Sequence, residues 1–291
     1  MIPPNFEYFA PNTLGDAVSL LERYGEDAKI LAGGQSLIPL MKLRLASPRF
    51  IVDLNQIQGL EYVRESDSYL RIGALTRVTD LEASEMVRKK YPVIYDVAAH
   101  IADPLVRNMG TVGGNIAHGD PANDLPAVML ALNAEFIAIS PTGERTIKAE
   151  EFFIDSFTTA LKPSEVLTEA RVAMPPARSG GAYLKLEKRV GDFAIAGVAA
   201  QLTVDGRGVC ERVGIGLTSA GPIPLKPKKA EESLRGKKPD DSAIKRTADL
   251  AADNANPRSD LRGPAEYKRE MFRVLTIRAL RNALSRVSGG S

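Results

Sequence analysis

Cysteine is almost absent from this chain: Cys210 is the only one in 291 residues. An internal disulfide is excluded, and so is an iron–sulfur cluster held by this chain's own thiolates. Histidine is nearly as scarce, and His100 and His118 are too few to build a metal site. An excess of one charge is also missing. The 38 Lys and Arg against 36 Asp and Glu leave a formal +2, which gives no support to nucleic-acid or polyanion binding. The modest basic stretch of Lys226, Lys228, Lys229, Lys237 and Lys238 reads as a solvated surface loop. No apolar run approaches the roughly 20 residues that cross a bilayer, so no transmembrane segment is expected. The N-terminus, Met1-Ile-Pro-Pro-Asn5, lacks a signal-peptide pattern, and a cytoplasmic location is the default. Nor is there a G-x-S-x-G or a convincing Cys–His or Ser–His–Asp constellation. Cys210 lies in an apolar strand pattern and reads as a small buried hydrophobe. Such weak side-chain chemistry points to a cofactor that carries the reaction.

What is present is an ordinary globular composition, 44% hydrophobic and 25% charged, with length enough for two compact units. Two glycine-rich segments stand out, Ala32-Gly33-Gly34-Gln35-Ser36 and Thr111-Val112-Gly113-Gly114-Asn115. Each follows an apolar run and lacks bulk where the backbone must turn. Adjacent glycines can aim successive N–H groups into one concavity, a nest for an anion such as phosphate. Two nests suggest two phosphates or a long nucleotide, whereas a pair of plain tight turns is the simpler alternative. Neither segment is a P-loop, and no G-x-G-x-x-G follows the first strand.

The periodicity predicts a helix over 13–24, with Leu14, Ala17, Val18 and Leu21 on one face, between buried strands at 28–31 and 50–54. That alternation favours a small parallel sheet. A hairpin follows at 60–72 around Glu65-Ser-Asp-Ser68, then helices at about 79–86 and 92–101. His100 falls in the latter and reads as a packed core residue. A helix through Leu132 holds Pro126 in its first turn, with Asn123 or Asp124 as cap. Strands are expected at 136–139, 146–147 and 166–173. A linker at 175–181 precedes three more at 182–187, 194–204 and 209–218, the last two joined by a turn at Asp205-Gly206. The tail from about 241 reads as helical, with Leu275, Ala279, Leu280 and Leu284 on one stripe. The fold class is mixed α+β.

Three segments carry a resemblance: Ala32-Gly-Gly-Gln-Ser-Leu-Ile-Pro-Leu-Met-Lys-Leu-Arg44, Ala102-Asp-Pro-Leu-Val-Arg-Asn-Met-Gly-Thr-Val-Gly-Gly-Asn115, and Gly119-Asp-Pro-Ala-Asn-Asp-Leu-Pro126. With Lys188-Arg-Val-Gly-Asp-Phe-Ala194, Ser219-Ala-Gly221 and Arg262-Gly-Pro-Ala-Glu-Tyr267, the chain resembles the FAD-binding medium subunit of molybdenum hydroxylases, closest in pattern to the carbon monoxide dehydrogenase type. The resemblance covers nearly the whole chain. It implies an FAD domain of the vanillyl-alcohol-oxidase (PCMH) type with two subdomains over 1–176. A C-terminal three-stranded antiparallel sheet with helices would fill 177–291.

By position, the resemblance assigns FAD contacts to Lys29, Ile30, Leu31, Ala32, Gly33, Gly34, Gln35 and Ser36, and to Thr111, Gly113, Gly114 and Asn115. Asp124 would accept hydrogen bonds from nucleotide hydroxyls, Ile101 and Leu161 would line the cofactor, and Lys185 would place a positive charge near the flavin. Helix capping for Asp124 and a surface position for Lys185 are the plainer alternatives. Gln35 stands where carbon monoxide dehydrogenase subunits often carry His, so FAD is expected to be bound non-covalently. Phe193 stands where some relatives have Tyr. The resemblance further implies an electron-transfer subunit that passes electrons to an external acceptor. Its partners would be a large subunit with the molybdenum cofactor and a small subunit with [2Fe–2S] clusters, together a dimer of heterotrimers, cytoplasmic or peripheral at the inner face of the membrane. Two rivals remain open: a self-contained flavin oxidoreductase on the same FAD fold, and a non-enzymatic binding module with decayed loops.

Overall fold

In the computed structural model, which describes residues 2–288, the chain builds three sheet-centred units in succession. The first is the small parallel sheet. It contains β1 (Glu7–Phe9), α1 (Leu14–Tyr24), β2 (Ala28–Leu31), α2 (Leu37–Lys42) and β3 (Phe50–Asp53), with strand order β1-β3-β2. Thr13 caps α1 by accepting the Asp16 amide at 3.1 Å. Ala17, Val18 and Leu21 are the buried face of α1 and share a core with Ala28 and Val52. β1, three residues long, and α2, six residues with Pro39 in its first turn, are too short to declare themselves by periodicity.

The second unit runs through β4 (Val63–Ser66), β5 (Tyr69–Gly73), α3 (Val78–Ala83), α4 (Glu85–Lys90), α5 (Pro92–His100), α6 (Pro104–Met109), α7 (Val112–Ala117) and α8 (Asp124–Ala131). It continues with β6 (Glu135–Ser140), β7 (Gly143–Lys148), α9 (Ala149–Phe152), β8 (Phe153–Asp155), β9 (Thr158–Thr159) and β10 (Val166–Ala173). Its main sheet has the order β4-β5-β10-β6-β7 and is antiparallel throughout. The first hairpin is tighter than the sequence suggests, because β4 runs on to Ser66 and only Asp67 and Ser68, both at positive φ, make the turn. The helix expected over 79–86 is two helices. Ser84 leaves helical geometry and caps α4 through the Val87 amide. Helices α6 and α7, absent from the sequence reading, each begin at a side-chain cap, Asp103 and Thr111.

The third unit is the antiparallel sheet β11 (Ser179–Leu186), β12 (Ala196–Val204) and β13 (Cys210–Thr218), with α10 (Lys228–Leu234), α11 (Asp241–Asn254) and α12 (Ala265–Ser288). The β12–β13 connection is longer than Asp205-Gly206 and closes between the Asp205 amide and the Val209 carbonyl at 2.8 Å. Along α12, Leu275, Ala279 and Leu280 are buried and Leu284 packs beside them. The basic stretch is only partly a solvated loop. The Lys226 side chain is 8% exposed and pairs with Glu150 at 2.8 Å, and Lys228 grips the same carboxylate at 2.5 Å from the first turn of α10. Cys210 is buried, and burial pushes its thiol up to about 11.

Helix α8 joins the second and third units. All eight of its residues are buried, which is why it shows no amphipathic stripe. The C-terminal sheet approaches it through glycines. A Cβ at Gly214 would lie 1.8 Å from the Ala131 carbonyl oxygen, and one at Gly216 would lie 1.8 Å from that of Ala127. Backbone on both sides leaves no room to adjust. Gly216→Val should therefore destabilise the chain by about 3 kcal/mol or more in denaturant unfolding, whereas Gly206→Ala, which meets only Arg178 Nη1 at 3.4 Å, should stay within about 0.5 kcal/mol of wild type.

Candidate functional site

The first glycine segment leaves β2 after Leu31, turns through Ala32 to Ser36 and enters α2. Lys29, Ile30 and Leu31 are the strand that delivers it. Gly33 has no space for a side chain, since a Cβ would sit 2.2 Å from the Met109 carbonyl oxygen and 2.8 Å from Gly110 Cα. Gly34 has φ of +73°, the left-handed region that favours glycine. All the carbonyls of this turn but that of Gln35 are tied within the protein. Ala32 O accepts from Asn55 Nδ2 at 2.9 Å, Gly33 O from Gln35 Nε2 at 3.3 Å, Gly34 O from the Ile38 amide and Ser36 O from the Leu40 amide, both at 3.1 Å. Among the described residues, the amides of Gly33, Gly34, Gln35 and Ser36 donate to nothing in the chain. Four successive free donors beside bound carbonyls form an anion nest.

The second segment differs from expectation. Thr111 caps α7, its Oγ1 accepting the Gly114 amide at 3.1 Å, so Gly113, Gly114 and Asn115 form the first turn of a helix. The Gly113 amide donates to Ala74 O at 2.8 Å and the Asn115 amide to Thr111 O at 2.9 Å. This glycine pair is therefore not an amide nest; Ala74 O and the Thr111 cap have taken its donors. Its glycines serve close packing instead, because a Cβ at Gly113 would lie 2.5 Å from that of Ala74. What the segment offers a ligand is side-chain chemistry. Asn115 Oδ1 is buried and has no partner. The two segments touch where Met109 O meets Gly33, and a Cβ on Gly114 would come within 3.9 Å of the Ala32 Cβ.

A second cluster lies where α5, α8 and β11 meet. Asn123 occupies the cap position of α8 and donates through Nδ2 to Asn115 O at 2.9 Å, so Asp124 is free of capping. Asp124 Oδ1 accepts from the Tyr183 hydroxyl at 2.5 Å and Oδ2 from Lys185 Nζ at 3.0 Å. Lys185 also donates to His100 O at 2.9 Å and lies 3.1 Å from Glu187 Oε2. Its side chain is 1% exposed, which rules out a surface lysine. The ammonium lies between two carboxylates, those of Asp124 and Glu187. Burial, the largest influence, pushes the Asp124 carboxyl above the ordinary carboxylate range, against the pull of Lys185 and Tyr183. Burial, then the Asp124 charge, raises the Tyr183 phenol well above its usual range.

Ile101, buried, ends α5 beside this cluster, and Arg107 Nη1 holds the Ile101 and Ala102 carbonyls, each at 3.2 Å. Leu161 packs on the core that contains Ile101. His100 is not a core residue. It is exposed at the end of α5, with Nδ1 2.7 Å from Asp96 O, because the helix stops there and turns its last residue outward. His118 is half-buried 5.3 Å from the Phe157 ring, and burial pushes its pKa down. Phe193 is half-exposed beneath the Arg262 guanidinium. Among the described residues there is no cluster of three metal-ligating side chains and no helix long and apolar enough to cross a membrane. Tyr183, Asn55 and Arg77 escaped the sequence reading. For Tyr183 a signal existed: it shares a strand face with Lys185 two residues on.

Comparison with known proteins identifies the architecture. The FAD binding domain of molybdopterin dehydrogenases matches residues 4–176, and the carbon monoxide dehydrogenase flavoprotein C-terminal domain matches 181–283. The carbon monoxide dehydrogenase medium chain of Hydrogenophaga pseudoflava is 43% identical over 286 residues, spanning 98% of this chain and 99% of that one. The alpha subunit of the 6-hydroxypseudooxynicotine dehydrogenase complex of Paenarthrobacter nicotinovorans is 38% identical, spanning 98% and 97%. A solved structure of the Hydrogenophaga pseudoflava carbon monoxide dehydrogenase, lacking the Mo-pyranopterin moiety of its cofactor, superimposes with a TM-score of 0.96 at 45% identity, covering 98% of this chain and 99% of that one. The chain belongs to the family of FAD-binding medium subunits of carbon monoxide dehydrogenase and xanthine dehydrogenase type, with its two-subdomain FAD fold and C-terminal antiparallel sheet.

The residues present fit a dinucleotide: a run of unpartnered amides, an orphaned buried Asn115 oxygen and a buried polar cluster joined to Asn115 through Asn123. The polar cluster also makes a stability prediction. Tyr183→Phe leaves Asp124 Oδ1 buried without its donor and should cost about 1–3 kcal/mol. A carboxyl already raised above its unfolded 3.8 is raised further, so the native state loses stability as pH climbs from that value through the folded one. The penalty of Tyr183→Phe, measured by denaturant unfolding, should therefore be larger at pH 7 than at pH 4.

Proposed function

We propose that this chain is the FAD-holding electron-transfer subunit of a carbon monoxide dehydrogenase-like molybdenum hydroxylase, with residues 1–176 as FAD domain and 177–291 as C-terminal domain. The observation that carries this reading is the run of four amides from Gly33 to Ser36 that have no partner among the described residues. These donors hold the diphosphate without the desolvation cost of a buried cation. Lys29, Ile30 and Leu31 fix the strand beneath, Asn55 holds the Ala32 carbonyl and Gln35 that of Gly33. Thr111 and Asn115 offer side chains from the facing helix, and Gly33 permits the close approach of Met109 and Gly110. Asp124 and Lys185 form the polar wall at the far end, and Ile101 and Leu161 the apolar one.

FAD supplies a redox centre that exchanges electrons singly or in pairs. The protein's part is to bind it, exclude water and set the charge around it. The attachment is non-covalent, because Gln35 stands in the nest where a histidine would offer a ring nitrogen. This chain takes electrons from [2Fe–2S] clusters on a small partner and passes them to an external acceptor, while a large partner carries the molybdenum cofactor and the substrate. The clusters lie elsewhere, since Cys210 is alone and buried. The assembly is a dimer of heterotrimers in the cytoplasm. Relatives of similar identity are named for carbon monoxide and for 6-hydroxypseudooxynicotine, so the substrate is a property of the large partner.

Titration of the flavin-free full chain with FAD should give one yellow equivalent per chain, without covalent retention after denaturation. Gly34→Asp sets a carboxylate among the four amides at positive φ and should weaken binding at least about 100-fold, an energy near 2.7 kcal/mol. Full flavin content in that variant would contradict the placement. Turnover of a small-molecule donor by the chain alone would contradict its role as a subunit.

A further inference from the structure

A chain of hydrogen bonds crosses between the two glycine segments at residues that neither segment contains. Asn55, just after β3, donates through Nδ2 to Ala32 O at 2.9 Å, and its amide Oδ1 accepts from Arg77 Nη2 at 2.8 Å. Arg77 then donates through Nη1 to Met109 O at 2.6 Å. That carbonyl is the one lying against Gly33. The Asn55 amide is itself fixed, because its backbone N–H and Nδ2 both reach Asp53 Oδ1, at 2.9 and 2.6 Å. The Arg77 backbone is held as well, donating to Asp80 Oδ2 at 3.0 Å and bridging to Thr111.

We infer that Arg77, acting through Asn55, is the positioning residue that orients the first loop's amides and sets their spacing from the second segment. This rests on the function proposed above. The physical reason is the geometry of a trans peptide, in which the C=O and N–H point in opposite directions. Ala32 O and the Gly33 N–H belong to one peptide plane. Gripping that oxygen from the Asn55 side turns the first nest amide the other way. Holding Met109 O at the same time keeps the facing chain seated on Gly33. Only a planar fork can serve both acceptors in fixed directions, and a lysine would reach one. Asn55 has to donate and accept at once, which Asp at that position cannot do. Arg77 also places a positive charge beside an anion site without touching the anion.

The test uses the full chain with FAD as probe, comparing wild type with Arg77→Met, Arg77→Lys, Asn55→Asp and the double variant Arg77→Met/Asn55→Asp. The FAD dissociation constant, the melting temperature of the flavin-free chain and the phosphorus NMR shifts of bound FAD are measured. Arg77→Met and Asn55→Asp should each weaken FAD at least about tenfold, and the double variant should be little worse than the weaker single. Arg77→Lys should recover part of the loss. The flavin-free melting temperature should stay within about 2 °C of wild type, while the phosphorus shifts move. Affinities within twofold of wild type in both singles, or losses that simply multiply in the double, would overturn the inference. So would melting temperatures that fall with affinity while the phosphorus shifts stay put. Failure of the wild type to bind FAD would sink the proposed function along with it, whereas normal wild-type binding with indifferent variants would sink this inference alone.

Discussion

The orientation of the peptide planes between Ala32 and Ser36 governs the rest of the site. Four of the five carbonyls in that turn, all but that of Gln35, have a partner inside the protein, while the amides of Gly33 to Ser36 have none among the described residues. Unpaired amides are costly when dry, so such a turn belongs where solvent or an anion can reach it. The first unit supplies the strand and helix that brace the turn. The second unit supplies the wall, through Met109 and Gly110 against Gly33.

Helix α8 extends the same logic to the far end of the site. Its complete burial fixes Asp124 between the second unit and the C-terminal sheet, where Tyr183 and Lys185 complete its hydrogen bonds. The glycines of β13 let the sheet lie directly on the helix backbone, so the two units meet without a side-chain layer that could slip. Asn123 links this cluster to Asn115, which lies five residues after Gly110, where the chain presses on the first loop.

Much of this was legible in the sequence, for definite reasons. Long periodic elements such as α1 and α12, and the three strands of the C-terminal sheet, follow from patterns sustained over many residues. The first glycine turn was readable because Gly33 and Gly34 answer to local constraints, a close backbone approach and a positive φ. The second was misread because the same glycine pair can open a helix, and Thr111 as an N-cap decides for the helix. The short elements β1, α2, α6 and α7 fall below the length at which periodicity means anything. The burial of Lys185 was not legible, because its carboxylate partners come from a helix 61 residues away and from just beyond its own strand's end. Arg77 and Asn55 carried no motif, since their meaning lies in two backbone carbonyls that only the folded chain brings within reach.

The most direct measurement is amide hydrogen exchange resolved to residues 33–36, before and after FAD is added to the flavin-free full chain. These amides should exchange quickly without FAD and become strongly protected with it. The amides of Gly113 and Gly114, already hydrogen-bonded inside the protein, should be protected in both states. If FAD binds and residues 33–36 exchange as fast as before, the nest does not hold the diphosphate and the account of this site is wrong.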